Sequence, residues 1–344
     1  MQSTMQLAEH IGSVRPSETR SHEIVHHFRV KPSDVGILGF VDGGTLLEWI
    51  DTAGYATAAH WCGGHCVAAS IGNLHLDRPI GVGERVVVHA SLVYTGLSSM
   101  HVLVTVHSTD PTGAQVAQTS QCPMVFVAVN AAAQPVEVPR WTPATMLDMQ
   151  RHRQARVRVR MRTRIEDAMA AASSTAEGTG SRTTLRFRAA ATDIDRGGNV
   201  RAGRVMRWID ESAYVCGADW NGAEVVTSYV AGIRFYRPLF VSDVIEVTAG
   251  IIHTGPRSVH ISVQVTTTDS QLVAGGLVVM VSLDERGDAR AVPPWQPVSE
   301  EDHRLDQHAR HLIELRQFIE PFTTAAAFPA DAGSANAVTP WTAL

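Results

Sequence analysis

The feature that most constrains this chain is an internal repeat. Trp49-Ile50-Asp51 recurs as Trp208-Ile209-Asp210, a displacement of 159 residues (208 − 49). The same displacement carries Arg78-Pro79 onto Arg237-Pro238, Thr95-Gly96 onto Thr254-Gly255, Ser99 onto Ser258, His101 onto His260 and Asp110 onto Asp269. Farther on, Val138-Pro139, Trp141 and Pro143 match Val292-Pro293, Trp295 and Pro297 at a displacement of 154 (292 − 138). A five-residue deletion (159 − 154) in the turn "STDPTGAQ" accounts for the change, because hairpin loops absorb length changes at little cost. The period is far too long for a solenoid, and each copy has the length of an ordinary domain. The chain reads as a duplicated domain.

Within each copy the order of elements is alike. A first strand ("HEIVHHFRV"; "TTLRFRAA") leads through an irregular loop to an apolar helix, "TLLEWIDTAGYATAA" or "RVMRWIDESAYVCGA". Four β-type runs follow, in the first copy "CVAASIGNLHLDRPI", "ERVVVHASLVYTG", "SMHVLVTVHST" and "AQTSQCPMVFVAV", rich in Val and Thr and punctuated by Gly, Pro or Asp. A helix apolar nearly all round has to be hidden on most sides. The expected class is therefore α+β, two domains each with an antiparallel sheet wrapped around a central helix. The spans are 22–143 and 183–297. Residues 1–21 and the Ala-rich 321–344 read as disordered and 172–182 as a flexible linker. Charged helices are expected over 144–171 and 298–320. The basic stretch of the former reads as a solvated face or inter-subunit contact rather than a phosphate site.

Composition narrows the functional classes. A net charge of −5 with pI near 6.3 gives no broad basic field, which argues against a nucleic-acid partner. No apolar run approaches the roughly 20 residues of a membrane span, and the first 20 residues lack the apolar core of a secretory signal. A cytoplasmic setting is the expectation. Four scattered cysteines do not make a disulfide scaffold. "HWCGGHC" at 60–66 packs two His and two Cys into seven residues. Structural zinc sites draw ligands from two separated pairs, and the second copy has "DWNGAEV" there, so no metal is expected and Gly63-Gly64 reads as a helix stop.

The central helices carry the chemistry-bearing residues. Asp51 lies in line with Leu47, Gly54 and Ala58, and Asp210 with Met206, Ala213 and Gly217, by the three-four-seven spacing of a helix face. Burying an ionised carboxylate costs several kcal/mol unless it is paired, so its appearance in both copies calls for a use. Two readings stand on the residues alone: catalysis, or an acid paired with a neighbour. Arg207 would serve Asp210, but its counterpart Glu48 would repel Asp51.

These residues carry a resemblance. "PSDVGILGFVDGGTLLEWIDTAG" at 32–54 resembles the signature of hotdog-fold acyl-CoA thioesterases: Pro-x-Asp-x-Asn, a Gly, then Gly-Gly with an acid seven residues after the second. "LDRPIGVGERVVVHASLVYTGLSSMHVLVTV" and "VFVAVNAAAQPVEVP" resemble later strands of that family, and "TDIDRGGNVRAGRVMRWIDESA" with "RFYRPLFVSDVIEV" matches again in the second copy. The resemblance implies an acyl-CoA thioester hydrolase needing no cofactor. The helix acid would act as general base or nucleophile, and backbone N–H groups at the helix start would stabilise the oxyanion. Each site would join the loop and helix start of one half to the acid of the other: Asp210 with Gly43-Gly44, and Asp51 with Ala202-Gly203. By the same resemblance the chain is a homo-oligomer, a trimer of two-domain chains.

The family's loop Asn is replaced by Gly36 in one copy and Asp195 in the other. Asp195 facing Asp51 is expected to make a carboxylate pair that shares a proton, with Asn199 as a substitute donor. The resemblance assigns CoA contacts to Ser98, Ser99, Arg257 and Ser258, whereas His101 and His260 read as surface residues on an exposed strand. A hotdog enoyl-CoA hydratase is disfavoured because "DVGILGFVDGG" holds no histidine. A catalytically weak acyl-CoA sensor or scaffold is the stronger alternative, since both loop Asn positions are changed.

Overall fold

The computed structural model describes residues 21–76, 78–109, 116–170, 179–284 and 288–316. The 321–344 tail, most of the 1–21 segment and of the linker, and the "STDPTGAQ" turn tip at 110–115 lie outside them. In the first half the elements are β1 (Glu23–Arg29), α1 (Gly43–Cys62), β2 (Cys66–Ile71), β3 (Leu74–His75), β4 (Arg85–Thr95), β5 (Ser99–Thr109), β6 (Val116–Ala128) and α2 (Met146–Ala170). In the second they are β7 (Arg182–Arg188), α3 (Ala202–Asn221), β8 (Val225–Phe235), β9 (Val244–Thr254), β10 (Ser258–Thr267), β11 (Leu272–Leu283), β12 (Ala289–Arg290) and α4 (Glu300–Arg316).

Each half builds the same antiparallel meander, ordered β1-β4-β5-β6-β2 and β7-β9-β10-β11-β8. The halves join edge to edge where Ser70 and Ile71 of β2 pair with Arg234 and Ile233 of β8, giving one 12-stranded sheet that leaves neither inner edge open. Where β8 runs unbroken, the run "CVAASIGNLHLDRPI", expected as one strand, divides into β2 and β3. Pro123 of β6 has no N–H to give the ladder, and Gly72 donates its own N–H to Pro123 O (2.7 Å). A Cβ at Gly72 would lie 2.6 Å from the proline ring, so the chain turns there on a glycine.

Both displacements of the repeat survive as equivalent contacts. Trp61 and Trp220 donate from Nε1 to Pro139 O and Pro293 O (2.8 and 3.0 Å), linking the 159 register to the 154 register in each half. The charged helices start alike: Thr145 N donates to Asp148 and Ser299 N to Asp302, and each acid's N–H donates back to the Thr or Ser hydroxyl.

The helices α1 and α3 lie back to back inside the curved sheet. Asp42 caps α1 by accepting from Thr45 N (2.6 Å). Gly63 and Gly222, with φ of 65° and 66°, end α1 and α3 in the left-handed conformation that glycine takes without strain. Leu47, Ile50, Met206, Trp208 and Ile209 are buried between them and the sheet, each contributing roughly 1.5–3 kcal/mol relative to exposure. The outer sheet faces are covered too. Ala155 of α2 packs on Val93 and Leu103, and Leu305 and Ala309 of α4 pack on Ile252 and Leu277. Here the reading of His260 as a surface residue fails: under α4 it is buried, edge-on to His253, whose Nδ1 meets Asp306 at 2.6 Å. Among the described residues no helix is long and apolar enough to cross a membrane.

Candidate functional site

Two clefts lie at the boundary between the halves, related by the repeat. In one, the start of α1 meets the middle of α3. Gly44 N donates to Asp210 Oδ2 (2.8 Å), and the Thr227 hydroxyl donates to Oδ1 (2.6 Å). A cavity of about 360 Å³ opens here, within the range of small-molecule sites. Asp210, Thr227, Gly43, Gly36, Tyr214 and Glu224 lie in its wall, with Leu46, Leu76 and Met280 supplying apolar surface.

In the other cleft the start of α3 meets α1, and Gly203 N donates to Asp51 Oδ2 (2.8 Å). Its remaining residues differ. Ala68 stands where Thr227 does in the first cleft, and Ala202 where Gly43 does. The two differences belong together. A Cβ at Gly43 would lie 2.5 Å from Asp210 Oδ1, 2.9 Å from Thr227 Cβ and 3.0 Å from Thr227 Oγ1, so a methyl group at the helix start crowds both the carboxylate and the threonine. Gly43→Ala is therefore expected to lower the melting temperature and to displace the Asp210 carboxylate. Adding Thr227→Ala removes the Oγ1 contact but not those to Cβ and Asp210, and should recover only part of the lost melting temperature, as read by thermal unfolding.

Both carboxylates are almost fully buried, Asp51 5% and Asp210 6% exposed. Burial pushes each up to about 6, opposed by the N–H from Gly203 or Gly44 and, at Asp210, by Thr227. Arg207 does not pair directly with Asp210. It crosses to Glu48 Oε2 and Thr45 Oγ1 (both 3.2 Å), while Glu48, the expected repeller, still raises Asp51 as one of the smaller influences. Asp195 adds to the rise at Asp51 through its charge. Asp195 Oδ1 accepts from Gly197 N and Asn199 N within its own loop (2.7 and 3.1 Å), and its charge is a lesser influence on Asp51 than burial.

The Asn199 amide is engaged elsewhere: it donates to His65 Nε2 (2.9 Å). Nδ1 of that ring faces the Tyr55 hydroxyl at 3.5 Å, a long contact. His65 thus leaves the "HWCGGHC" segment for the second half's loop, while Cys66 is buried in β2. Ser98, Ser99, Arg257 and Ser258 lie at the β4–β5 and β9–β10 hairpins, outside the cavity wall. Thr227 escaped the sequence reading. Its signal was the pairing of two differences between the copies, Gly43 with Thr227 against Ala202 with Ala68.

A domain model described as the thioesterase superfamily matches the chain twice, over residues 38–114 and 197–274. Both halves are thioesterase-superfamily hotdog domains. The two-domain chain is 26% identical over 300 residues to the cytosolic acyl coenzyme A thioester hydrolase of Mus musculus, covering 80% of this chain and 78% of that one. It is 29% identical over 136 residues to an uncharacterized acyl-CoA thioester hydrolase of Bacillus subtilis, 40% of this chain and 79% of that one. The fold of an acyl-ACP thioesterase from Bacteroides thetaiotaomicron superposes with a TM-score of 0.50 at 13% identity, over 75% of this chain and 98% of that one. One hotdog domain here thus corresponds to most of the Bacillus relative, and the tandem pair to most of the mouse one.

Proposed function

We propose that this acyl-CoA thioester hydrolase cleaves its substrate in the Asp210 cleft, with Asp210 as general base toward water. The observation carrying the choice is the Thr227 hydroxyl on Asp210 Oδ1, where the Asp51 site has Ala68, in the wall of a cavity that also holds Gly43. Gly44 N–H is already committed to the carboxylate, so Gly43 N–H, at the positive end of α1, is the donor for the carbonyl oxygen as negative charge collects there. Both Asp210 oxygens are fixed by hydrogen bonds, which orients the carboxylate for proton transfer from water. The Asp51 cleft, with alanines at both corresponding positions, has the same buried acid but neither the threonine nor the glycine. Acyl-CoA is the substrate of this reading, and the cytosolic mammalian relatives support a cytosolic setting.

The test is release of free thiol from a panel of acyl-CoAs as a function of pH. A base must be ionised, and Asp210 is raised to about 6. The expected kcat/KM therefore rises about tenfold per pH unit below 6 and levels off above it. Binding of acyl-CoA without thiol release at any pH would return the chain to the sensor reading.

A further inference from the structure

The Asp210 cleft lacks a loop side chain at Gly36, and the repeat shows what stands in its place. Residue 224 corresponds to 65, 214 to 55, 36 to 195 and 40 to 199, all by the displacement of 159. In the Asp51 cleft, residue 65 reaches across the boundary between the halves. The His65 ring bonds Asn199 (2.9 Å), approaches Asp195 (4.0 Å) and lies so close on Gly197 that a Cβ there would be 2.1 Å from it. A side chain at the entrance to this strand is thus aimed at the loop of the opposite half. In the Asp210 cleft the same position holds Glu224, in the same cavity wall as Gly36, Asp210 and Thr227. The Tyr214 hydroxyl, one helical turn after Asp210, donates to Glu224 Oε2 (2.5 Å) and fixes the carboxylate. Oε1 takes no hydrogen bond from the described residues. A Cβ at Gly36 would have nothing within 4 Å, so the space the loop leaves is open.

We propose that Glu224, oriented by Tyr214, is a catalytic residue of the Asp210 cleft: it accepts the second hydrogen bond of the attacking water and takes the place of the side chain missing at Gly36. The inference rests on the hydrolytic reading of that cleft. Water donates one O–H to Asp210 and the other to Glu224 Oε1. As its oxygen bonds to the thioester carbon, the first proton passes to Asp210, and the carbonyl oxygen becomes an oxyanion at Gly43 N–H. Collapse breaks the C–S bond, and the proton on Asp210 passes to the leaving sulfur. Acyl-CoA and water become a carboxylic acid and CoA thiol. Glu224 ends in the state in which it began, so its contribution is orientation of the nucleophile.

The experiment is steady-state thiol release by the full chain carrying Glu224→Ala, Glu224→Gln, Tyr214→Phe and the double variant Glu224→Ala with Gly36→Asn, beside wild type and Asp210→Asn. Glu224→Ala is expected to lower kcat by about 10–100-fold with KM within about threefold, the pattern of an interaction made in the transition state. Glu224→Gln keeps an acceptor oxygen and should stay within about fivefold of wild type, with Tyr214→Phe between the two. Gly36→Asn extends an amide into the open space and should return at least about fivefold of the rate lost in Glu224→Ala. A purely structural role would not give that rescue. Two results overturn the inference while sparing the function: Glu224→Ala within twofold of wild type while Asp210→Asn is inactive, or a loss that tracks a fall in melting temperature and is not rescued by Gly36→Asn. An inactive wild type, or an active Asp210→Asn, removes the reading on which it rests and the inference with it.

Discussion

Asp210→Asn is expected to lower kcat/KM for acyl-CoA by about 10²–10⁴-fold, the usual contribution of a positioned base, while Asp51→Asn keeps most of the wild-type rate. The two acids are equivalent in the repeat, equally buried and both raised to about 6 by that burial. What separates them is the surroundings: the Thr227 hydroxyl on one side, Ala68 and the engaged His65–Asn199 pair on the other. An equal loss in both variants would assign the reaction to both clefts.

The same substitutions should raise stability at pH 8. Each folded-state value, about 6, lies above the ordinary 3.8 of an unfolded aspartate. The folded state therefore holds the proton more tightly, and ionisation works against folding. That penalty is absent below about pH 4, grows as pH rises from about 4 to 6, and is complete above. A displacement from 3.8 to about 6 corresponds to roughly 3 kcal/mol per carboxylate at full ionisation. Asparagine keeps an acceptor for Gly44 N–H or Gly203 N–H without the charge. A gain of about 1–3 kcal/mol at pH 8 that fades by pH 4, followed by thermal unfolding, is the expected result. A destabilised Asp210→Asn at pH 8 would mean that the carboxylate's hydrogen bonds outweigh its burial.

Much of the architecture was legible because duplication writes itself as identity. Tryptophans 61 and 220 make the same contact in both halves, and the two meanders follow the same strand order. The buried acids were legible because a helical period separates Asp51 and Asp210 from the charged stripe of their own helices. The Arg207–Glu48 pair was not, since it forms only when the two halves dock, and no local pattern states which residues then meet. His260 was misplaced because period-two reasoning assumes one wet sheet face, whereas α4 covers the outer face of β9 and β11. The break between β2 and β3 needed the register that sets Pro123 beside Gly72.

Gly203→Ala and Gly44→Ala should each destabilise the chain and yet differ in catalysis. At Gly203 a Cβ would lie 2.9 Å from Asp51 Cβ and 3.0 Å from the Glu48 Cα. At Gly44 it would lie 2.8 Å from Arg207 Cγ and 3.2 Å from the Arg207 Cα. Backbone atoms cannot swing aside as a flexible side chain does, so α1 and α3 must separate by a few tenths of an ångström at each point, against a close-packed core. Overpacking of this kind costs about 1–3 kcal/mol per site. The double variant should cost less than the sum, because one separation of the helices relieves both contacts. Melting temperatures of the singles and the double measure this, and an unchanged value for either single would show that the approach of the helices is looser than these distances. Kinetics then distinguish the two ends. Gly44 N–H holds Asp210, so its displacement lowers kcat as well as stability. Gly203 N–H holds only Asp51, and its variant should lose stability with the per-molecule rate of the folded enzyme largely kept. If the losses fall the other way round, the working carboxylate is Asp51.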